Sequence, residues 1–277
     1  MAFKIQTNII TMDILEAIRQ RRSVRTFNGN GLDDNQHSLL LKVFDEARSP
    51  FDAPVYLQLA KFNLREGYKP STYGMIRGAE DYFLLAFGDD GLSALAAGFR
   101  FEQVVIKAWM MGLGTCWIAG TFKGSSFERG ISWPDGGRLR VVCPVGYAAK
   151  PAFMEKVARM TARSNHRKPF GDLFFKNGFA DALDAGNIFA ESLEMMRLAP
   201  SSTNSQPWRA LVDGTNVHFF YKPVSKFSLL DCGIGLCHFS ETEKLRAHSG
   251  SFYKAENAPA APHNWCYLIS YARTDLR

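Results

Sequence analysis

Apolar positions in this chain fall into helical and strand periods that alternate along its length. Ile14, Leu15 and Ile18 form one stripe behind Asp13, which predicts a helix capped by Asp13, with Glu16 completing a capping box. That helix runs into the basic segment Arg19-Gln20-Arg21-Arg22-Ser23-Val24-Arg25. Leu39, Leu40, Val43, Phe44 and Ala47 share a face of a second helix, which follows Asp33-Asp34 and ends before Pro50. The unbroken apolar run 82–87, bounded by Gly88-Asp89-Asp90-Gly91, predicts a buried strand. Residues 93–111 are apolar around most of a helical circumference, so this long helix belongs at the centre of the fold, and Gly112 and Gly114 stop it. Residues 139–148 read as another strand, where Pro144 calls for an edge or a bulge.

Beyond Pro169 the pattern begins again. Ile188, Phe189, Leu193 and Met196 mark a helix that stops before Pro200. A polar loop, 201–206, leads to Pro207-Trp208 and a hairpin in which Asp213-Gly214-Thr215-Asn216 joins two apolar runs. A helical stretch over 229–246 and a strand over 266–272 complete the order. Ala97-Gly98-Phe99 is echoed by Ile234-Gly235-Leu236, and Val145-Gly146-Tyr147-Ala148 by Ile269-Ser270-Tyr271-Ala272. Helix-then-proline occurs at Pro50 and again at Pro200. The common order of these matches predicts an internally duplicated α+β unit.

Composition narrows the class. Hydrophobic content of 46% and charged content of 22% are globular values and exclude wholesale disorder. No apolar run is long enough to span a bilayer, and residues 1–11 lack the continuous apolar core of a secretory signal, so a cytoplasmic location without membrane attachment is expected. Cys116, Cys143, Cys232, Cys237 and Cys266 are scattered and odd in number. Cys232 and Cys237, beside His238, lack structural-zinc spacing, so reduced thiols are expected and no metal. The net charge of +6 suits an anionic ligand and does not by itself imply nucleic acid.

Two segments carry candidate chemistry. Arg21-Arg22-Ser23-Val24-Arg25 places three guanidiniums and a hydroxyl within reach of one phosphate. The same residues also suit the solvated C-terminal end of a surface helix, where cations are favoured, or a nucleic-acid patch, although no aromatic residues interleave with them. Ala199-Pro200-Ser201-Ser202-Thr203-Asn204-Ser205-Gln206-Pro207-Trp208 offers many hydrogen-bonding groups on a loop held between prolines. It also suits an ordinary helix-to-strand connection rich in turn formers. Neither segment decides the matter alone.

Together they do. An Arg-Arg-Ser-x-Arg-x-Phe segment after an early helix, with a later helix ending in Ala-Pro-Ser-x-x-Asn-x-Gln-Pro-Trp, resembles the nitroreductase family of FMN-dependent oxidoreductases. Gly112-Leu113-Gly114-Thr115-Cys116-Trp117-Ile118-Ala119-Gly120 resembles that family's stretch after the central helix. Asn165-His166-Arg167-Lys168-Pro169 resembles its second basic segment. The resemblance implies an α+β nitroreductase-like fold and these roles. Arg21, Arg22, Ser23 and Arg25 would hold the FMN phosphate and the polar edge of the ring, where Arg25 would stabilise negative charge. Arg167 and Lys168 would add to the phosphate site. Ala119 and Gly120 would donate main-chain hydrogen bonds at the reactive edge, and Pro200, Ser201, Ser202 and Asn204 would line the opposite face of the ring. No acid–base catalytic residue is required.

The chain departs from the ordinary family pattern in one respect. Arg48-Ser49-Pro50-Phe51-Asp52-Ala53-Pro54 has neither the serine pair nor the asparagine of the loop, while the part that carries the good loop lacks Arg-Arg-Ser-x-Arg. This resembles the fused nitroreductase-like proteins in which one chain imitates the homodimer. It implies a first half over 1–180, a second over 181–277, one FMN site per chain and a monomer. The implied activity is electron transfer from NAD(P)H to a small-molecule acceptor such as a nitroaromatic or quinone, with ping-pong kinetics. The alternatives are another flavin reaction on the same scaffold, a flavin-binding sensor or storage protein, and a basic nucleic-acid-binding protein.

Overall fold

The computed structural model describes residues 12–63, 67–129, 131–150 and 166–275. The segment 1–11 and Asn165, read above, lie outside them. In chain order the elements are α1 (Ile14–Gln20), α2 (Asp34–Glu46), β1 (Val55–Lys61), β2 (Asp81–Phe87), α3 (Gly91–Met110), β3 (Gly114–Thr115) and β4 (Arg138–Gly146). There follow β5 (Phe174–Lys176), α4 (Ala190–Leu198), β6 (Trp208–Asp213), β7 (Asn216–Tyr221), α5 (Ser228–Leu245), β8 (Gly250–Tyr253) and β9 (Cys266–Arg273). The fold is α+β. Among the described residues no helix is long and apolar enough to cross a membrane.

Local sequence explains the helix ends. Asp13 accepts from the Glu16 N–H at 2.7 Å, while the Glu16 carboxylate accepts from Gln20 at 2.7 Å. The complete capping box belongs instead to α2, between Asp33 and Gln36. At the end of α3, Gly112 takes φ +77°, the left-handed geometry that stops a helix.

Strand order shows the duplication. One sheet runs β1-β2-β4-β3 and the other β5-β6-β7-β9-β8, so without β5 the two orders correspond strand for strand. A bulge falls between Leu85 and Ala86 in the β2–β4 ladder, and its counterpart between Phe219 and Phe220 in the β7–β9 ladder. β5 joins the second sheet parallel to β6, and the other ladders are antiparallel. The 82–87 run is buried throughout because β2 faces two cores. Phe83, Leu85 and Phe87 point to the main core, whereas Tyr82 and Leu84 meet Phe127 and Phe62 on the outer face.

Pro144 needs neither an edge strand nor a bulge, because β4 lies between β2 and β3. On the β3 side, Val142 and Ile118 exchange hydrogen bonds at 3.0 and 3.1 Å, and β3 itself pairs only with Val145 and Gly146. Alternation along the strand aims the position-144 nitrogen into the gap between these two patches, where no ladder bond is lost. β1, β5 and β8 escaped the sequence pattern. β1 is only partly buried, β5 has three residues, and β8 opens on Gly250 with its first two residues exposed.

At the centre α3 crosses α5, and there the register of the duplication departs from the sequence echo. Gly98 packs against Gly233, not against Gly235. A Cβ built on Gly98 would lie 2.2 Å from the Leu230 carbonyl oxygen, and one on Gly233 would lie 2.2 Å from that of Leu95. These two contacts are symmetric. The same residue spacing relates Gly112 to Ala247, both at positive φ, and Ile118, which bridges Val142 beyond β3, to Tyr253 in β8. The ladders correspondingly make Val145, paired with Thr115, equivalent to Arg273, paired with Gly250, four residues from the echo read in sequence.

Replacing Gly98 or Gly233 by alanine should therefore force the helices apart, at a cost of about 2–3 kcal/mol or more. The measurement is denaturant or thermal unfolding, and an unchanged midpoint would contradict the close approach.

Candidate functional site

α1 ends where the basic segment begins, and a series of short backbone pairings holds that segment in place. Arg21 is the C-cap, its N–H donating to Ala17 at 2.8 Å. Ser23 bridges Thr115, and the Val24 N–H donates to the Thr115 carbonyl at 2.9 Å. Arg77 then exchanges backbone bonds with Arg25 and Phe27 (2.9 and 2.8 Å). Gly78, at φ +74°, permits that approach, since a Cβ there would sit 2.2 Å from the Phe27 carbonyl oxygen. Three guanidiniums from one short segment consequently differ in setting. Arg22 is exposed, Arg25 is half-buried, and the Arg21 side chain is only 4% exposed.

The second basic segment reaches the same place. Arg167 donates to Asn204 Oδ1 at 3.1 Å and to the Leu198 carbonyl at 3.0 Å. Burial, then the neighbouring charges of Arg21 and Arg197, lower its pKa to about 10. Arg21 and Arg167 are thus close enough to repel, and the Asn204 loop closes over the second of them. Lys168 goes elsewhere. Its ammonium donates to the Ser205 carbonyl at 2.6 Å and its charge is felt by Arg209 and Lys222, so it ties the loop from behind.

The loop itself is strained and heavily tied. Thr203, Asn204 and Gln206 all adopt positive φ, at about 50°, 57° and 48°, a region that costs non-glycine residues roughly 1 kcal/mol or more each. The buried Gln206 offsets this. Its side-chain Oε1 accepts from the Lys168 backbone N–H at 2.8 Å, its Nε2 donates to Asn204, and its backbone N–H donates to Ser201 Oγ at 3.0 Å. Asn204 Nδ2 donates to the His166 carbonyl at 2.6 Å. Pro200, Ser201 and Ser202 precede this knot and are half-buried at the end of α4. Ser202 is anchored through its N–H to both oxygens of Asp231, at 3.0 and 3.1 Å.

Ala119 and Gly120 follow β3 and meet the start of α5. A Cβ on Gly120 would touch the Phe227 ring at 3.4 Å. The two segments of the first half, 21–25 and 115–120, thereby share one seam with the Pro200–Asn204 loop and the first turn of α5. Phe227, Asp231 and Gln206 are the residues that sequence reasoning left out. Gln206 lies inside the loop motif and could have been found. Phe227 and Asp231 carried no signal beyond the start of a helix.

An anionic ligand fits this seam. The Nε atoms of Arg21 and Arg25 are buried and find no acceptor in the protein, a costly state for charged donors. Arg167 feels the charges of Arg21 and Arg197, and Glu102 pairs with Arg21 at 3.8 Å from Nε.

Burial also raises Asp231, to about 7, against the lowering effect of the Ser202 and Ser205 hydrogen bonds. Its folded-state pKa thus exceeds the ordinary carboxylate value. The folded protein favours the proton, so this group's contribution to stability is full at acid pH and is lost as pH rises towards 7. Asp231→Asn, which keeps an acceptor for Ser202, should raise the unfolding temperature at pH 8 and leave it almost unchanged at pH 4. A gain of equal size at both pH values would refute the assignment.

The described geometry can be set against known proteins. No protein of curated function matches the chain. Over 99% of its length the chain is similar to 98% of a "putative nitroreductase" of Thermotoga maritima MSB8, with a TM-score of 0.62 and 19% identity, a likeness of fold. A nitroreductase family protein of Clostridium difficile 630 covers 54% of the chain with 92% of its own, at a TM-score of 0.43 and 18% identity. A nitroreductase with bound FMN from Bacteroides fragilis NCTC 9343 covers 51% with 91% of its own, at a TM-score of 0.42 and 16% identity. The model of the family described as "Putative TM nitroreductase" matches residues 13–242, a span that takes in both basic segments, the Asn204 loop, α3 and most of α5, and the chain belongs to that nitroreductase family.

Proposed function

We infer that the chain is an FMN-dependent oxidoreductase that takes electrons from NAD(P)H and gives them to a small oxidised molecule such as a nitroaromatic or quinone. The observation that carries this reading is the seam where Arg21, with its unsatisfied buried Nε, meets Arg167 under the Asn204 loop. Arg21, Arg22, Ser23 and Arg167 would hold the phosphate, and Arg25 the polar edge of the ring. Ala119 and Gly120 would offer main-chain N–H groups at the reactive edge, with Pro200, Ser201, Ser202 and Asn204 across from them. Lys168 supports that loop rather than the phosphate. Bound there, the flavin would supply the two-electron chemistry, and the protein binding, orientation and electrostatics. Donor and acceptor would then react in turn at one open face. Phe227, beside Gly120, would supply shape and no proton. A cytoplasmic location suits such a donor.

The duplication supports one site per chain. In the other half, Ala47 caps α2 as Ala199 caps α4, their N–H groups donating to Phe44 and Met196 at 3.2 and 3.1 Å. The loop after Ala47, however, buries Phe51, whose ring meets Phe99 edge-on at 6.4 Å. Phe252, in the place of Trp117, meets Phe99 at 6.2 Å. Ala255, in the place of Gly120, has its N–H engaged by the Tyr267 hydroxyl at 2.9 Å. Aromatic packing fills what the first seam leaves polar. We infer a monomer that binds one FMN.

The decisive experiment is titration of the purified protein with FMN, followed by anaerobic addition of NADH or NADPH. One flavin per monomer, bleached by the donor and restored by a nitroaromatic or quinone, is expected, with parallel-line steady-state kinetics. Absence of binding at excess FMN would overturn the reading, and binding without bleaching would leave a storage or sensing role. Arg21→Ala and Asn204→Ala, from opposite sides of the seam, should each weaken FMN by about tenfold or more in the same monomer. Two flavins per chain, or binding only by a dimer, would refute the single site.

A further inference from the structure

Beneath the seam lies a charged cluster that the loop motifs do not announce. Glu102 projects from α3 and His238 from α5, both fully buried, with His238 Nε2 2.9 Å from Glu102 Oε1. The other imidazole nitrogen, Nδ1, faces the Met195 carbonyl at 3.0 Å. Both ring nitrogens therefore face oxygen atoms, and an imidazole donating through both would be the imidazolium. Glu102 Oε2 accepts from the Trp117 indole N–H at 2.7 Å, and Oε1 lies 3.8 Å from Arg21 Nε.

Each contact leads to a different part of the proposed site. Arg21 begins the phosphate segment. Trp117 stands two residues before Ala119. Met195 lies on α4, one turn before Pro200, and the same helix offers its Leu198 carbonyl to Arg167. His238 itself comes from the second half. One carboxylate thereby meets Arg21 and Trp117 from the first half and, through His238, the helix that leads into the loop from the second.

We propose that Glu102 and His238 are positioning residues for the flavin site, a buried ion pair between the two central helices that holds Arg21 towards the ligand and keeps Trp117 and α4 in register with it. This rests on the FMN reading above. Charge balance explains why the pair is needed. With His238 neutralising it, Glu102 can attract Arg21 from 3.8 Å, beyond hydrogen-bond distance of Nε, without drawing the guanidinium away from an anion on its other side. Without that imidazolium, an unpaired buried carboxylate would have Arg21 as its remaining cation and would capture it.

That capture can be tested by a double-mutant cycle on FMN affinity, read by quenching of flavin fluorescence, with the unfolding temperature of each flavin-free variant as control. His238→Gln should weaken FMN by about tenfold or more. Adding Glu102→Gln removes the charge that captures Arg21, and should restore affinity to within about threefold of the Glu102→Gln single variant. A merely structural role makes the double variant at least as weak as His238→Gln, and that result would overturn the proposal. Should His238→Gln fail to fold, the cycle runs between Glu102→Gln and Arg21→Ala. Glu102→Gln must then weaken FMN in the native background and not when Arg21 is absent, and equal effects in both would overturn it. A wild-type chain that binds no FMN refutes the function itself, whereas wild-type binding with no coupling refutes only the positioning role.

Discussion

Gly98 and Gly233 let the backbones of the two central helices approach until each Cα position meets the other helix's carbonyl and amide groups. Side chains of ordinary size would hold the helices 8–10 Å apart. Here the contact is closer, and each helix carries its own sheet with it. The apolar faces of both sheets, through Phe83 and Val141 on one side and Phe219 and Ile269 on the other, then belong to one continuous core. Everything that meets at the seam inherits its spacing from this crossing, including the reach of Arg167 to Asn204 and of His238 to Glu102.

Duplication around that crossing has divided the labour. The sheets, the bulges and the helix-ending turns are retained twice, because each is a local solution to packing that both halves still need. The polar loops are not. The first half keeps the arginines and loses the Asn204-type loop, whereas the second half keeps the loop. Where the second seam would be, Phe51, Phe99 and Phe252 pack edge to face, and burial of aromatic area replaces a polar opening that no longer has partners. The other seam stays polar, and the buried Nε atoms of Arg21 and Arg25 make no hydrogen bond there, a cost that an anionic ligand would relieve.

Much of this was legible along the chain. The helices at Asp13 and Asp33, the central helix, the buried strand 82–87 and the hairpin at Gly214 follow from periodicity, capping residues and glycine. The basic segments and the Asn204 loop were visible as motifs because their chemistry depends on which residues stand next to one another. Short or half-exposed strands were not. β5 and β8 owe their existence to neighbours already in the sheet and hold too few residues to show a period of two.

Residues within a turn or a strand of each other set the helices, the longer buried strands, the duplicated order and the types of group available to hold an anion, and these are readable along the chain. Tertiary structure decided the rest. It selected Gly233 rather than Gly235 as the partner of Gly98, because close approach is a property of two backbones and not of a matching triplet. It sent Arg167 into the seam and Lys168 behind the loop, a difference of one position that only the path of the surrounding chain settles. It also brought Glu102 to His238 across the helix crossing. Each residue read alone is an ordinary polar position on an apolar helix, and only the crossing makes the two hydrogen-bonded partners.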